Sequence, residues 1–504
     1  MMAAMRMEPG YPLQELLQGL VNDAAVASYR IRGLALDSRK VQPGDLFIAL
    51  GGSRVHGAAY IAEAVERGAV AVLVEGQALP GNAAEYARPV LTATELRAKV
   101  GIIAARFYGE PSHAMTLYGI TGTNGKTSVC QFIAQALSCD EPCGVIGTLG
   151  SGLYGKLQST GHTTPDAITL QKQLAAQYDA GARAAVMEVS SHALEQQRVA
   201  GTAFDVAVFT NLSHEHLDYH GDMMAYALAK RRLFQYAGLK VAVLNLDDDT
   251  GASWYGELHG QLQCIGYGFG AEAQQAAGAV LYGSDVQLSP VGLSFSISSP
   301  WGEARLATAL LGRFNAANLL AALGALLAGG MNFASAVQRL KQVHTVPGRM
   351  ERFGTAQQPT VVVDYAHTPD ALEQVLKALR GHCNGILWCV FGCGGERDRA
   401  KRPLMGQLAE ALADRVVLTD DNPRSENPWD IIEDIQRGMK ERGVADVVRD
   451  RAAAIRHAIG MAGIGDIVLV AGKGHETEQL IAGQVLSFSD RDEVARCLQG
   501  NGNV

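Results

Sequence analysis

Residues 117–128 read Leu-Tyr-Gly-Ile-Thr-Gly-Thr-Asn-Gly-Lys-Thr-Ser, and the apolar helical run Val129–Leu137 follows. A short apolar strand therefore enters a Gly-rich turn, meets Lys-Thr, and continues as a helix. Glycines let backbone N–H groups converge on phosphate oxygens, and the helix N-terminus adds partial positive charge. Gly122, Thr123, Asn124, Gly125, Lys126, Thr127 and Ser128 form a candidate ATP-phosphate loop, with Lys126 facing the β/γ-phosphates and the Thr127 hydroxyl facing Mg²⁺. The loop is not a full Walker A. Counted from Gly119 it has Asn124 where glycine is required, and counted from Gly122 it reads Gly-x-x-Gly-Lys-Thr. A strand feeding such a loop belongs to a parallel sheet, so the chain is expected to be α/β.

The 504 residues leave room for two to four domains, and 48% hydrophobic against 19% charged residues is globular composition. The formal charge is −8 and no Lys/Arg run stands out, which excludes a nucleic-acid or anionic-membrane partner. The eight cysteines lack paired C-x-x-C spacing and are read as reduced thiols. Met1–Pro12 has no apolar h-region, so a cytoplasmic location is expected. The apolar stretch Ala316–Gly330 is shorter than the ~20 residues a bilayer requires and reads as a buried helix; no membrane span is expected.

Three blocks follow from the patterning. In the first, 1–100, Leu34–Asp37, Asp45–Leu50 and Val70–Val74 read as strands and Tyr60–Arg67 as a helix. The second, 101–345, alternates strands Leu117–Ile120, Ala184–Val189, Val206–Thr210 and Val241–Asn245 with helical patterns; its lead-in helix, Glu95–Tyr108, has Thr94 as the expected N-cap. From Cys264 to Leu311 period-two alternation predicts an antiparallel meander. The third, 346–504, alternates again through strands Thr360–Val363, Leu387–Phe391, Arg415–Leu418 and Ile467–Val470, a second doubly wound sheet.

Glu188 ends an apolar strand, where ligands of parallel sheets bind, and its carboxylate suits a hard Mg²⁺ shared with phosphates. Asn211-Leu-Ser-His-Glu-His-Leu-Asp-Tyr-His220 packs three histidines and two carboxylates into ten residues. Composition alone admits zinc there; the neighbouring phosphate loop favours Mg²⁺. Lys230, in a helical run, would by itself read as a solvated lysine.

Taken in order, Gly122-Thr-Asn-Gly-Lys-Thr127, Glu188-Val-Ser-Ser-His192, Asn211 to Asp218, Tyr226-x-x-Ala-Lys230, Gly312-Arg-Phe-Asn-Ala-Ala-Asn318, Pro347-Gly-Arg-Met-Glu351, Asp364-Tyr-Ala-His-Thr-Pro369 and Asp420-Asp-Asn-Pro-Arg424 resemble the Mur ligase family of bacterial peptidoglycan synthesis. The resemblance covers essentially the whole chain. It implies three domains: an N-terminal UDP-sugar-binding domain, a central P-loop parallel-sheet ATPase and a C-terminal Rossmann-like domain that binds an amino acid. It implies an ADP-producing ligase, acting as a monomer, that joins UDP-N-acetylmuramoyl-L-Ala-D-Glu to a diamino acid through an acyl phosphate. Lys126, Lys230, His216 and Arg349 would be catalytic, with Lys230 carbamylated and holding metal beside Thr127, Glu188 and His216. Asn315, Asn318, Arg349, Asp364 and His367 would reach the nucleotide. Leu36, Ser38, Ser53, His162, Thr163, Thr164, Ser190, Gln196 and Arg198 would hold the UDP-sugar dipeptide.

Meso-diaminopimelate exceeds lysine by one carboxylate, which a planar bidentate arginine recognises better than a lysine does. Asp421, Asn422, Pro423 and Arg424 follow a strand end and resemble the loop of the diaminopimelate-adding members. Arg397, Gly472 and Glu476 would complete that amino-acid site, with Glu476 on an ammonium. The rival expectations are a lysine-adding or folylpolyglutamate-like sister ligase, a generic P-loop NTPase switch, motor or binding protein, and a zinc hydrolase built on His214, His216 and His220.

Overall fold

The computed structural model describes residues 10–21, 28–52, 55–76, 85–355, 357–441, 443 and 445–500. The chain divides into two compact units: Met1–Leu281 with Ala321–Ala336, and Tyr282–Leu320 with Val337–Val504.

The first unit opens with a four-stranded parallel sheet, β1 (Gly33–Ala35), β2 (Asp45–Ala49), β3 (Ala71–Glu75) and β4 (Val90–Ala93), paired in that order. Successive side chains point to opposite faces. Leu46, Ile48, Leu73 and Leu91 therefore join Leu13, Leu16, Leu96 and Val100 on one side, while Phe47, Val72 and Val74 meet Ile61 and Ala64 on the other. Strand β4 has no counterpart among the sequence expectations; Pro89 precedes it and only four residues alternate. The helix Leu96–Tyr108 forms as expected, but its N-cap is Glu95 in the left-handed region (φ 50°), without a side-chain cap, so Thr94 does not cap it. Gly101 lets this helix approach the following block: a Cβ there would lie 1.8 Å from the Ala200 carbonyl oxygen.

The second sheet of this unit runs β5 (Thr116–Thr121), β6 (Cys143–Gly147), β7 (Gly150–Leu153), β8 (Ala184–Glu188), β9 (Val206–Phe209), β10 (Val241–Asn245) and β11 (Gln263–Gly268). Its spatial order is β11-β10-β9-β5-β8-β6-β7, parallel except for β7. The phosphate-loop strand β5 is central, and β8 and β9 flank it, so the loops after all three open at one edge. Four of these strands match the sequence reading; β6 and β7 were not foreseen, and β11, at the start of the Cys264–Leu311 stretch expected to be antiparallel, pairs parallel with β10 instead.

In the second unit β12 (Ala279–Ser289, entering from the first unit), β13 (Gly292–Ser299) and β14 (Gly302–Thr308) form the expected antiparallel meander. The apolar stretch after it is the buried helix Arg313–Ala328, which the division assigns to the second unit up to Leu320 and to the first from Ala321. A six-stranded sheet follows: β15 (Glu351–Phe353), β16 (Thr360–Asp364), β17 (Leu387–Phe391), β18 (Arg415–Leu418), β19 (Ala445–Val447) and β20 (Ile467–Ala471), ordered β15-β16-β20-β17-β18-β19 with only β15 antiparallel. Val362, Cys389, Phe391 and Leu469 face Leu372, Met405 and Ile432; Val361, Val363, Val390 and Val468 face Ile455, Ile459 and Val494. Both faces are covered by helices, as in a doubly wound sheet. A hairpin, β21 (Glu478–Ile481) and β22 (Gln484–Ser487), lies beyond β20. All eight cysteines are free, and no helix among the described residues is long and apolar enough to cross a membrane.

Candidate active site

The loop after β5 is built to approach a ligand closely. Gly122 (φ 148°) could not carry a side chain, because a Cβ would meet Thr210 Oγ1 at 1.9 Å. Gly125 (φ 84°) caps the helix Lys126–Leu137, whose first amides point back into the turn. Asn124 is fastened through its N–H to Asn211 Oδ1 at 2.9 Å. Lys126 folds over the loop, its Nζ 2.9 Å from Gly122 O and 2.7 Å from Thr123 O. Thr127 Oγ1 donates to Glu188 Oε2 at 2.8 Å.

Glu188 is buried at the end of β8. Its carboxylate also accepts from the Thr148 N–H (2.8 Å) and hydroxyl (3.2 Å). A hydroxyl and a carboxylate side by side at the mouth of a phosphate loop are hard oxygen donors that fit Mg²⁺. Thr148, which aims Glu188, is a residue that sequence reasoning missed; β6 was not recognised, so its end was not either.

Lys230 is not solvated. Its side chain is 1% exposed, its Nζ donates to Gly122 O at 2.8 Å, and the ammonium position lies 4.3 Å from the Tyr226 ring centroid. Burial, followed by the charge of Lys126, pushes its pKa well below the ordinary lysine value. His216 sits half-exposed in the left-handed region (φ 57°), its Nε2 3.7 Å from Glu215 Oε2 and its ring edge-on to His192 at 4.8 Å. His220 turns inward instead, bonding Glu195 Oε2 (3.0 Å) and Ser191 Oγ (3.0 Å), and burial lowers its pKa. No group of three or more His, Cys, Asp or Glu side chains among the described residues is placed to hold a metal, so His214, His216 and His220 do not form a zinc set.

Thr164, Ser190, Gln196 and Arg198 form one hydrogen-bonded group. Thr164 Oγ1 donates to Glu188 O (2.8 Å), and Arg198 donates to Thr164 O (3.0 Å) and to Gln196 Oε1 (3.0 and 2.6 Å). Ser190 caps the next helix and accepts from Ala193 N–H. Thr163 Oγ1 lies 3.1 Å from Thr148 Oγ1, and His162 is exposed. In the N-terminal sheet Leu36 packs beside the core, while Ser38 is buried and donates to Glu63 Oε2 at 2.7 Å. Ser53 lies outside the described residues.

In the second unit Asn315 Nδ2 donates to Leu311 O (2.7 Å) and Asn318 Nδ2 to Asn315 Oδ1 (3.0 Å), both buried. Asp364 ends β16, accepts from the Met350 and Ala366 amides (2.7 and 2.8 Å), and is raised in pKa by burial. The Arg349 guanidinium lies 5.0 Å from the Tyr365 ring centroid, and His367 Nδ1 is 2.8 Å from Tyr365 O.

The loop after β18 is stapled on both sides. Arg424 takes φ 56°, donates its N–H to Leu480 O (2.9 Å) and its Nη1 to Gly395 O (2.7 Å), and accepts from Ala482 N–H (2.7 Å). Gln479 Nε2 holds the Asp421 carbonyl at 2.7 Å. Asp421 is buried, and burial raises its pKa against the opposing charges of Arg451 and Lys473. Pro423 is buried under Gly395. Arg397 is exposed in the adjoining loop, Gly472 N–H donates to Asp364 O (3.1 Å), and Glu476 Oε2 accepts from Asn422 Nδ2 at 3.1 Å. Behind this loop the buried Arg402 grips Glu426 with both Nη atoms (2.8 Å each), and Glu426 is pulled down to about 2 in pKa. The sequence reading did not single out Arg402 or Glu426, whose pairing spans 24 residues, or the hairpin β21–β22, whose strands are only four residues each.

Three family models match this chain: the Mur ligase family catalytic domain over 30–108, the Mur ligase middle domain over 120–326, and the Mur ligase glutamate ligase domain over 348–474. A UDP-N-acetylmuramoyl-L-alanyl-D-glutamate–2,6-diaminopimelate ligase of Coxiella burnetii is 50% identical over 97% of this chain and 100% of its own. The enzyme of that name from Pseudomonas aeruginosa is 50% identical over 93% of this chain and 95% of its own. A solved structure under the same name superposes with a TM-score of 0.76 at 38% identity, covering 98% of this chain and 100% of the other. MurF from Thermotoga maritima in complex with ADP shares the fold at a TM-score of 0.60 and 17% identity, covering 93% and 97% of the two chains. Matched from residue 30 to residue 474 by these models, and along nearly its full length by these relatives, the chain belongs to the Mur ligase family.

Proposed function

We propose that this protein is the ATP-dependent ligase that joins meso-diaminopimelate to the γ-carboxylate of D-Glu in UDP-N-acetylmuramoyl-L-Ala-D-Glu, a step of peptidoglycan precursor synthesis. The observation that carries the reading is the near-full-length identity with relatives of that name, and the stapled Asp421–Arg424 loop agrees with it. The division into an N-terminal UDP-sugar-binding domain (1–100), a central ATP-binding domain (101–345) and a C-terminal amino-acid-binding domain (346–504) is supported by the three matched ranges.

In this reading a γ-carboxylate oxygen attacks the terminal phosphorus of ATP, the bond to ADP breaks, and an acyl phosphate forms. The amine nitrogen of diaminopimelate then attacks the acyl carbon. The tetrahedral intermediate expels phosphate, a proton leaves to solvent, and an amide remains. Lys126 and Arg349 oppose the charge on the transferring group. Asn315, Asn318, Asp364 and His367 bind the nucleotide. His162, Thr163, Thr164, Ser190, Gln196 and Arg198 hold the dipeptide end, and Leu36 and Ser38 stand by the uridine. Thr127 and Glu188 would hold Mg²⁺, with His216 and a modified Lys230 supplying further ligands; Mg²⁺ when bound neutralises phosphoryl oxygens.

An unmodified ammonium does not fit beside a cation, and burial favours the neutral amine, the form that reacts with CO₂. Its neutral amine forms an N–C bond to CO₂, a C=O electron pair moves to oxygen, and one proton is released. The product is a carboxylate-like carbamate.

The test is ADP release with UDP-N-acetylmuramoyl-L-Ala-D-Glu and either meso-diaminopimelate, lysine or no amino acid. Turnover strongly favouring diaminopimelate is expected. Preference for lysine, or turnover indifferent to both, would overturn the reading.

A further inference from the structure

Lys473 is a buried lysine that the reaction as described does not use. Its side chain is 0% exposed, and its Nζ lies 3.1 Å from Asn422 Oδ1 and 2.9 Å from Glu476 Oε2. Asn422 Oδ1 also accepts from the Leu480 N–H at 3.0 Å, and Asn422 Nδ2 donates to Glu476 Oε2 at 3.1 Å. An ammonium is donor-only, so the atom of Asn422 that meets it must be the amide oxygen. That choice turns the NH₂ the other way, where one of its two hydrogens meets Glu476 and the other has no partner among the described residues.

Glu476 is treated in the complementary manner. Its Oε2 is taken by Lys473 and Asn422, while its Oε1 has no hydrogen-bond partner among the described residues and is not sealed from solvent. The carboxylate is therefore anchored through one oxygen and offers the other. In the same loop as Asn422 the half-buried Arg424 guanidinium is braced on Gly395 O.

The geometry points to Lys473 as the positioning residue that sets the polarity of the amino-acid site. Together with the Leu480 N–H it holds the Asn422 carbonyl inward, which leaves N–H rather than C=O for an incoming carboxylate, and it anchors Glu476 so that one oxygen is left for an incoming ammonium. The ligand class is a zwitterionic α-amino-acid centre, here the distal end of the diamino acid. The inference rests on the reading of the Asp421–Arg424 and Gly472–Glu476 loops as that site. Without the ammonium, Asn422 Oδ1 keeps only the Leu480 N–H, its amide is held less firmly, and Glu476 is left without its cation.

The test is steady-state kinetics of the full-length Lys473→Met variant, which keeps most of the side-chain volume. KM for meso-diaminopimelate is expected to rise about 30-fold or more, with KM for ATP and for the UDP-sugar dipeptide within about twofold and kcat little changed. The preference for diaminopimelate over lysine is expected to shrink with it. A variant with wild-type KM and preference, or one that loses all three substrates equally, overturns the proposal. A wild-type enzyme indifferent to diaminopimelate removes the reading beneath it instead, and that control is run first. If Lys473→Met does not fold, Asn422→Asp carries the test. Its carboxylate still accepts from Lys473 and Leu480 but offers no donor, so the diaminopimelate preference is expected to fall at least tenfold, and a retained preference overturns the proposal.

Discussion

Lys230 Nζ lies 2.8 Å from the carbonyl oxygen of Gly122, which joins the helix Met223–Arg231 to the first glycine of the phosphate loop. A lysine that sequence alone would leave in solvent is thus buried at the loop, beside the like charge of Lys126. Removal from water disfavours the charged form of such a group and favours the neutral amine.

If Lys230 acts as a carbamate, enzyme dialysed in CO₂-free buffer is expected to lose activity and to regain it with bicarbonate. Lys230→Met should lose at least about 10²-fold in kcat and gain nothing from bicarbonate. Equal response of wild type and variant to bicarbonate would sink the assignment.

Glu188→Gln keeps the shape and one acceptor, which can stay on the Thr148 N–H while the NH₂ turns to the Thr127 hydroxyl as a donor, and it removes the charge. A fall of about 10²–10³ in kcat is expected, with half-maximal activity moved to higher Mg²⁺ and folding nearly intact. Titrating ADP release against Mg²⁺ measures it; an unchanged Mg²⁺ curve would take Glu188 out of the metal site.

Arg424→Lys retains a cation but loses the planar fork. The preference for meso-diaminopimelate over lysine should drop by about 10–100-fold, mostly through KM. Comparing kcat/KM for the two amino acids decides it. A preference left intact would place the selection elsewhere.

Glu426 is held down to about 2 in pKa, first by its hydrogen bonds from Arg402 and then by the Glu396 amide. A depressed carboxyl contributes stability that is fully present above the ordinary glutamate range and is lost as pH falls through that range toward about 2. Glu426→Gln should therefore be less stable than wild type at pH 7, and its acid transition should be shallower between those limits. Urea unfolding at pH 7, 5 and 3 measures both. A stability difference constant across that range would assign the effect to packing.

Local pattern determined a large part of this protein. Strands β17 and β18 begin and end where short continuous apolar runs place them, and the Gly-rich turn between β5 and Lys126 was legible because phosphate-loop geometry demands glycine and a helix start at fixed offsets. The meander β12–β14 announced itself by period-two alternation. Strands β4, β6 and β19 escaped because they are short or lack alternation, and Thr94 failed as a cap because Glu95 takes the left-handed turn at that corner. Only the tertiary structure decided which polar residues act together. Thr148 reaches Glu188 across 40 residues, Lys473 reaches Asn422 across 51, and Arg402 reaches Glu426 across 24. These pairs leave no periodic trace, because they are set by the order in which strands stack in a sheet. Residue types told that a carboxylate, a lysine and an arginine were available; burial and distance told what each one holds, since a charge removed from water must find its partner wherever the fold has placed it.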